Sequence, residues 1–496
     1  MKLFLKRTAP VLGLLGLGLA GCQPDIASPS LSAGSADFSR YIAIGNSLTA
    51  GYADGGLYRE GQLTSYPSIL ASQFSRVGGG DFVQPLFTEA QSNGSGYLRL
   101  AGFDATGSPQ LANVTTNLGI RGFYTPPVRF VPVAPGPPPV LVPYQAPPQP
   151  LYTKFTDPVN NLGVPGIRLS DIQTVGYGSQ GGNPYFERLT TDPRQTYLER
   201  VKATVASINP TFFTFWLGNN DVLGFATAGA AGNSLTPADT FALKANRILN
   251  ALVAGGAKGV VSTIPDVTGI PFFTTVGPRL RATLEANNIP GLVIMTGARM
   301  GGAASPNRRP IATGDIRNAT DGRQLFTLIS SPFLGLLGRP TGAPWRYVFS
   351  QANLPKGLFG PFLNSFGVDT LQAFGATAGN PIPSAFVLDD VEQVQVATAT
   401  SAFNAALTAA ASARGLALFD ANTFFRGVSV NGFASNAVNN TAGYVSGNLF
   451  GLDGVHPTPR GYAAIANEIL RSINAKYGSS FQGVNANNYR GVQFPQ

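Results

Sequence analysis

The chain has 496 residues, of which 44% are hydrophobic and only 12% are charged, and its formal net charge is +9. This composition supports a large buried core and excludes disorder over the whole length, because disordered chains combine low hydrophobicity with high charge. One cysteine and one histidine exclude an internal disulfide and a zinc site built from Cys and His. Any mechanism that needs a histidine base must use His456. The basic residues form no cluster, so we expect no nucleic-acid partner.

The N-terminal segment is typical of a secretory signal. Three basic residues precede an apolar run, Ala9 to Ala20, that is too short to span a bilayer. The run leads into Leu-Ala-Gly-Cys at residues 19–22, which resembles the lipobox of bacterial lipoproteins. The resemblance implies cleavage before Cys22 and lipidation of its thiol, and an ordinary signal peptide followed by a free thiol is the alternative. We therefore predict a signal peptide over residues 1–21 and a lipid anchor on Cys22. The protein would then lie in the cell envelope, at the outer membrane and periplasm or on the cell surface.

The rest of the chain divides by composition. Residues 22–38 are rich in Ser, Ala, Pro and Gly and predict a flexible tether. Residues 39–476 predict one folded domain, and residues 477–496 a C-terminal extension. No further apolar run is long enough to predict a transmembrane helix.

Strands and helices alternate through most of the domain. The predicted strands are Tyr41–Ile44, Thr211–Leu217, Val260–Ile264 and Ala417–Phe419, and the predicted helices are Ser65–Phe74, Asp192–Ile208, Thr236–Ala254, Val387–Arg414 and Thr458–Lys476. The third of these helices opens on Thr236-Pro237-Ala238-Asp239, which is similar to a capping box. Such alternation favours a parallel sheet with helices on both faces. We therefore predict an α/β fold, a three-layer α/β/α sandwich around a central parallel sheet.

Two segments interrupt the alternation. Residues 125–150 contain eleven prolines and predict an extended, Pro-rich loop that is neither helix nor central strand. Residues 268–385 consist of apolar pieces separated by Gly and Pro, such as Leu325–Leu337 and Leu358–Phe366, and predict a large insertion. We interpret these pieces as the core of the insertion, with a lid or an acyl-chain groove as the alternative.

His456 lies in a loop directly before the last predicted helix, where Thr458 suits the N-cap. Asp453, three residues earlier, can accept a hydrogen bond from the imidazole Nδ1 and leave Nε2 free as a base. A loop histidine tied to a turn-forming aspartate is the structural alternative.

A histidine base needs a nucleophile, and the Gly-x-Ser-x-Gly elbow of α/β-hydrolases does not occur. Ser47 lies in Gly-Asn-Ser-Leu-Thr at residues 45–49, directly after the first predicted strand. Ligands of open parallel sheets bind at the carboxyl ends of strands, which favours Ser47 over an ordinary turn serine. The same pentapeptide recurs at residues 232–236 around Ser234, but no strand precedes it. Ser47 is therefore the candidate.

Two further segments carry donors for an oxyanion: Gly218-Asn219-Asn220-Asp221 after a strand, and Gly163-Val164-Pro165-Gly166 at a tight turn. In order and residues, the segments together resemble the SGNH hydrolases, also called the GDSL esterases and lipases. The matching positions are Gly45-Asn46-Ser47-Leu48, Gly166, Gly218-Asn219-Asn220-Asp221 and Asp453-Gly454-Val455-His456. The resemblance extends over a little more than a third of the chain.

The resemblance implies a flavodoxin-like sandwich and a catalytic triad. Ser47 would be the nucleophile, His456 the general base and then acid, and Asp453 the residue that orients it. The oxyanion hole would be formed by the backbone N–H groups of Ser47 and Gly166 and the side-chain amide of Asn220. The family has an aspartate where this chain has Asn46, and we expect this to change local hydrogen bonding without loss of the chemistry.

We therefore expect a serine-dependent carboxylic ester hydrolase that acts on a small-molecule or lipid ester, with no cofactor and no metal. One alternative is a deacetylase or acyltransferase that uses the same triad on an envelope polysaccharide. Another is a non-catalytic lipoprotein that binds lipid or a partner. The remaining carboxylates near strand ends and helix starts are predicted to be structural: Asp221, Asp266, Asp389, Asp390 and Asp420.

Overall fold

The computed structural model describes residues 31–105, 107–132, 141–231, 234–297 and 307–495. The predicted signal peptide, Cys22 and the first part of the predicted tether lie outside these ranges, as do two residues of the second pentapeptide. Among the helices within the ranges, none has the length and apolar character needed to cross a membrane.

The described residues form an α/β fold. The strands are β1 (Tyr41–Gly45), β2 (Tyr97–Phe103), β3 (Pro109–Val114), β4 (Ile120–Tyr124), β5 (Arg129–Pro132), β6 (Leu141–Tyr144), β7 (Gln149–Tyr152), β8 (Asn161–Gly163), β9 (Phe212–Trp216), β10 (Lys258–Ser262), β11 (Gly291–Met295), β12 (Arg308–Ala312), β13 (Leu325–Phe326), β14 (Val387–Leu388), β15 (Ala417–Phe419), β16 (Phe433–Ser435) and β17 (Val438–Asn440). The α-helices are α1 (Ser47–Ala50), α2 (Arg59–Leu63), α3 (Tyr66–Phe74), α4 (Pro184–Glu187), α5 (Tyr197–Ile208), α6 (Asn220–Thr227), α7 (Ala238–Val253), α8 (Pro271–Thr274), α9 (Val276–Ala286), α10 (Ala343–Gln351), α11 (Phe359–Ser365), α12 (Asp390–Ala413), α13 (Ala421–Asn431) and α14 (Pro459–Tyr477).

Five of these strands form a central parallel sheet in the order β15-β10-β9-β1-β8. The predicted parallel sheet is thus confirmed, and β8 is an additional edge strand of only three residues. In the register, Gly45 at the end of β1 lies opposite Trp216 at the end of β9 and Gly163 at the end of β8. The loops that follow these three strands therefore leave the sheet at the same edge.

Helices cover both faces of the sheet. On one face, Ile42 and Ile44 belong to a buried cluster with residues of α5, α7 and α12. On the other, Tyr41 and Ala43 pack with residues of α3 and α14. This division follows from β-strand geometry, in which successive side chains point to opposite faces. The arrangement is compatible with a three-layer α/β/α sandwich.

Several predicted helix starts are corrected by the caps that form. Helix α5 begins at Tyr197 and not at residue 192, because Thr196 and Glu199 form a capping box. The predicted capping box at Thr236 is wrong: the Thr236 hydroxyl donates to Asp221 Oδ1 at 2.7 Å, and α7 begins without a side-chain cap. Helix α12 begins at Asp390, because the side chain of Asp389 accepts the first free backbone N–H groups.

The Pro-rich segment is partly strand, which corrects the prediction of a loop throughout. Strands β5 and β6 pair antiparallel as a two-stranded hairpin, with Phe130 opposite Pro143. The prediction that the segment holds no helix and no central strand agrees with this arrangement. Proline is tolerated in such a hairpin because one edge of each strand needs no ladder hydrogen bond. Residues 133–140 lie outside the described ranges.

Both ends of the domain pack more tightly than the composition predicts. The predicted tether, residues 22–38, is wrong at its end, because Phe38 is 2% exposed and stacks on Phe74 at 4.3 Å between ring centroids. In the C-terminal extension, Phe481 and Val492 are buried. The guanidinium of Arg490 donates to Glu60 at 2.7 Å.

Candidate active site

Ser47 lies at the carboxyl end of β1, which runs between β9 and β8 in the central sheet. It is the first residue of α1, whose N-cap is Asn46, and Asn46 Oδ1 accepts a hydrogen bond from Leu48 N. The turn requires glycine at position 45, because a Cβ there would lie 1.9 Å from Thr49 Oγ1. Glycine at position 45 thus lets the chain turn tightly after β1, and this turn places Ser47 at the edge of the sheet.

The side chains of Ser47, His456 and Asp453 form one hydrogen-bonded chain. His456 Nε2 lies 2.9 Å from Ser47 Oγ, and His456 Nδ1 lies 2.7 Å from Asp453 Oδ2. The side chains of His456 and Asp453 are each 15% exposed. His456 is held on the loop before α14, which begins with Thr458 as its N-cap and Pro459 in its first turn.

The Asp453 carboxylate accepts hydrogen bonds at both oxygens. Oδ1 accepts from the backbone N–H groups of Val455 and His456, both at 2.9 Å, and Oδ2 also accepts from Gly55 N at 3.0 Å. Burial alone would raise the pKa of Asp453, but attraction to His456 and these hydrogen bonds outweigh it and hold the pKa below its ordinary value. The carboxylate therefore stays ionised and can stabilise a positive charge on the imidazole.

Asn220 and Gly166 lie on the same cavity wall as His456. Asn220 begins α6, and its Nδ2 donates to Ile167 O at 2.9 Å, which leaves the second N–H of the amide available. Gly166 has a φ of +81°, a conformation that favours glycine. Within the described residues, the backbone N–H groups of Ser47 and Gly166 have no acceptor. Three donors without an intramolecular acceptor are thus available for an oxyanion, and two of them line the cavity that His456 also lines.

Asp221 joins the start of α6 to the loop after β8. Its carboxylate accepts from Leu169 N at 2.6 Å and from Ser170 N at 3.1 Å. These hydrogen bonds hold the segment after Gly166 against Asn220. The role is structural, as the sequence predicts for Asp221.

The sequence predicts no role for three residues that support the site. Gly55 donates to Asp453, and Asp54 Oδ1 accepts from Leu452 N at 2.9 Å. The centroids of the Tyr52 and His456 rings lie 4.6 Å apart. An Asp-Gly pair after a short helix is an ordinary turn signal, and nothing in the sequence links it to residues almost four hundred positions away.

Ser234 is an exposed residue, and within the described chain the serine that hydrogen-bonds to His456 is Ser47. Among the other carboxylates with a predicted structural role, Asp266 and Asp420 each cap a helix start. In the ranges that the structure describes, no three His, Cys, Asp or Glu side chains are grouped so that they could hold a metal ion.

The site opens into a cavity of about 1610 Å³. The apolar piece Leu325–Leu337 contributes to its wall, so this piece serves as more than the core of the insertion. The piece Leu358–Phe366 does not line the cavity and packs in a separate cluster around Trp345. The alternative of a groove is therefore wrong for the piece Leu358–Phe366, because its aromatic side chains pack against Trp345 inside the insertion.

Comparison with known proteins gives no match, whether to family models, to curated sequences or to solved structures.

Proposed function

We propose that this chain is a serine-dependent carboxylic ester hydrolase of the SGNH type, with Ser47 as its nucleophile. The observation that carries the proposal is the hydrogen-bonded chain Ser47–His456–Asp453 at the carboxyl edge of the parallel sheet. The sheet with helices on both faces supports the further proposal that the fold is the flavodoxin-like sandwich of that family.

Acyl transfer at this site proceeds in two steps. His456 Nε2 takes the proton of Ser47 as the serine oxygen attacks the ester carbonyl, and negative charge forms on the carbonyl oxygen. The N–H groups of Ser47 and Gly166 and the amide of Asn220 stabilise that charge. The imidazolium then donates its proton to the leaving alkoxide, which departs as an alcohol and leaves an acyl-serine.

The second step returns the enzyme to its starting state. A water molecule gives its proton to His456 and attacks the acyl-serine. The serine oxygen leaves and recovers a proton from the imidazolium, and the carboxylic acid is released. If a sugar hydroxyl replaces the water, the same steps make an acyltransferase, so the products separate these two activities.

Hydrolysis of short-chain p-nitrophenyl esters by the full chain tests the proposal. We expect Ser47→Ala to lower kcat by about a thousandfold or more, because no other group supplies the nucleophile. Ser234→Ala is the matched control, since Ser234 occupies the same pentapeptide, and it should keep the wild-type rate. Equal activity of Ser47→Ala and the wild type would reject the proposal.

We further propose that Cys22 carries a lipid that anchors the protein in the cell envelope. The lipobox-like sequence at residues 19–22 supports this proposal. Metabolic incorporation of an alkyne-tagged fatty acid in a bacterial host should label the wild type and not Cys22→Ser. Labelling of both proteins to the same extent would contradict the anchor.

A further inference from the structure

We infer that the cavity beside Ser47 is a binding groove for a linear acyl chain, which makes medium- and long-chain acyl esters the preferred substrates. The inference rests on the proposed ester hydrolysis and adds to it the part of the substrate that the enzyme selects. The insertion supplies about half of the described residues that line the groove, and the central sheet supplies none of them.

Three helical segments supply the apolar wall of the groove. They are α6, α9 and the 3₁₀ helix Leu328–Leu336. Their apolar side chains at the cavity are Leu223, Val276, Leu280, Leu284, Leu328, Ile329 and Leu334, and Ile289 and Leu337 follow α9 and the 3₁₀ helix. A wall of this composition suits a hydrocarbon chain better than a sugar, which needs closely spaced hydrogen-bonding groups.

Part of this wall is not covered by the protein itself. Leu223, Leu328, Ile329, Leu334 and Leu337 are only partly buried, although they pack against the core. Large apolar side chains that face a concave space are stabilised when an apolar ligand removes their remaining surface from water. Each methylene of a bound chain would likewise leave water, so affinity should rise with chain length.

The helical segments also bring Thr227, Thr275, Thr283 and Ser331 to the cavity, and further polar groups come from two places. At one end, His456, Asn220 and Gly166 surround the reacting carbonyl. The hairpin β2–β3 contributes Asp104, Ser108 and Gln110 together with the apolar Leu98 and Leu111, and Arg279 Nη1 donates to Ser108 Oγ at 2.5 Å. The polar groups of the hairpin suit the alcohol part of the ester, and the apolar side chains of the helical segments suit the acyl part.

Helix α9 gives the groove its direction and length. Just before α9, Phe272 N donates to Gly454 O at 2.9 Å, which places this end beside the His456 loop. Val276, Leu280 and Leu284 then follow at four-residue spacing and are 5%, 2% and 1% exposed, and Thr275, Arg279 and Thr283 line the cavity beside them at the same spacing. Eight residues of α-helix span about 12 Å. An extended hydrocarbon chain with bonds of about 1.5 Å advances roughly 1.25 Å per carbon, so the helix face matches about ten carbons.

A large side chain at position 335 would fill the groove without displacing the residues around Gly335. It lines the cavity, and a Cβ added there would have no atom within 4 Å. Gly357 is a matched control, because it lies in another 3₁₀ helix of the insertion, does not line the cavity and has equally open space around its Cβ position.

The test compares kcat/KM for acetyl and decanoyl p-nitrophenyl esters with the full chain. In the wild type we expect kcat/KM to rise by up to about fourfold per added methylene until the groove is filled. Gly335→Trp should lower the decanoyl-to-acetyl ratio at least about tenfold, whereas Gly357→Trp should keep the wild-type ratio. Leu334→Ser, which makes the wall polar without adding volume, should lower the ratio in the same direction and serves if Gly335→Trp does not fold.

Two results overturn the inference and leave the proposed function standing. One is a wild-type kcat/KM that does not increase from acetyl to decanoyl, and the other is an unchanged ratio in both groove variants. If the folded wild type hydrolyses neither ester and does not react with a fluorophosphonate, the proposed function fails and the inference fails with it.

Discussion

Asp54 and Leu452 are 398 positions apart in the sequence, and Asp54 Oδ1 accepts the backbone N–H of Leu452 at 2.9 Å. The next residues along each segment are also joined, because Gly55 N donates to Asp453 Oδ2. These two hydrogen bonds link the segment after Ser47 to the loop that carries His456. Asp54 therefore positions Asp453 and His456 without touching the reacting atoms.

Replacing Asp54 should misplace the histidine loop. We expect Asp54→Ala to lower kcat by up to about a hundredfold, the scale of a 1 Å displacement of a catalytic group. Asp54→Asn should recover most of the rate, because its amide oxygen can still accept from Leu452 N. Ester kinetics with both variants check this expectation, and equal rates for Asp54→Ala and the wild type would show that the link does not position the site.

Asn220 supplies the side-chain donor of the proposed oxyanion hole. Asn220→Ala should lower kcat about a hundred- to a thousandfold, the usual cost of one such donor. The KM for a short-chain ester should change much less, since the donor acts mainly on charge that forms in the transition state. Circular dichroism confirms folding of the variant, and a near-normal kcat in a folded protein would reject the assignment.

Asn46 is the residue that departs from the pattern of the proposed family. Its Oδ1 caps α1, while its Nδ2 is buried with no partner among the described residues. Asn46→Asp keeps the acceptor for Leu48 N, so kcat should stay within about tenfold of the wild type. Asn46→Ala loses the cap and should lower the free energy of unfolding by about 1 kcal/mol. A rise in kcat of more than about a hundredfold in Asn46→Asp would instead show that Asn46 impairs the site.

Glu392 should make the stability of the protein depend on pH. Burial, together with the nearby Asp389 carboxylate, raises the pKa of Glu392 to about 7. Between the ordinary glutamate pKa and about pH 7, the unfolded chain is ionised while the folded chain keeps the proton. The folded state therefore loses stability as pH rises through this window.

From pH 5 to pH 8 this loss should reach about 2 to 3 kcal/mol for the wild type. Glu392→Gln removes the titration, so its free energy of unfolding should lack this fall. Denaturant titrations of both proteins at the two pH values measure the difference. Parallel pH profiles would contradict the raised pKa.

The sequence predicts the strands and helices whose ends are marked by local signals, such as apolar runs, turn residues and helix caps. Strands β1, β9 and β15 are short apolar runs ended by turn residues, and α14 starts at the predicted cap Thr458. The edge strand β8 has three residues, which is too short for a periodic signal. The hairpins β2–β3 and β5–β6 pair far from any core pattern, so their strands were not predicted.

The candidate site shows the same division. Ser47, Asp453 and His456 were predicted from local motifs, and in the structure hydrogen bonds join their side chains. The support from Asp54 and Gly55 depends on how distant loops meet in the folded chain, which no local pattern encodes. The groove depends on how α6, α9 and the 3₁₀ helix pack around it, and this too is a property of tertiary packing.

The role of Ser47 as the nucleophile is tested most directly by finding which serine reacts with a probe for activated serines. The folded full chain is treated with a fluorophosphonate probe, and the modified peptide is identified by mass spectrometry. We expect a single adduct on Ser47 that disappears in Ser47→Ala and persists in Ser234→Ala. A folded wild-type protein that takes up no probe, or an adduct that persists in Ser47→Ala, would show that Ser47 is not the nucleophile.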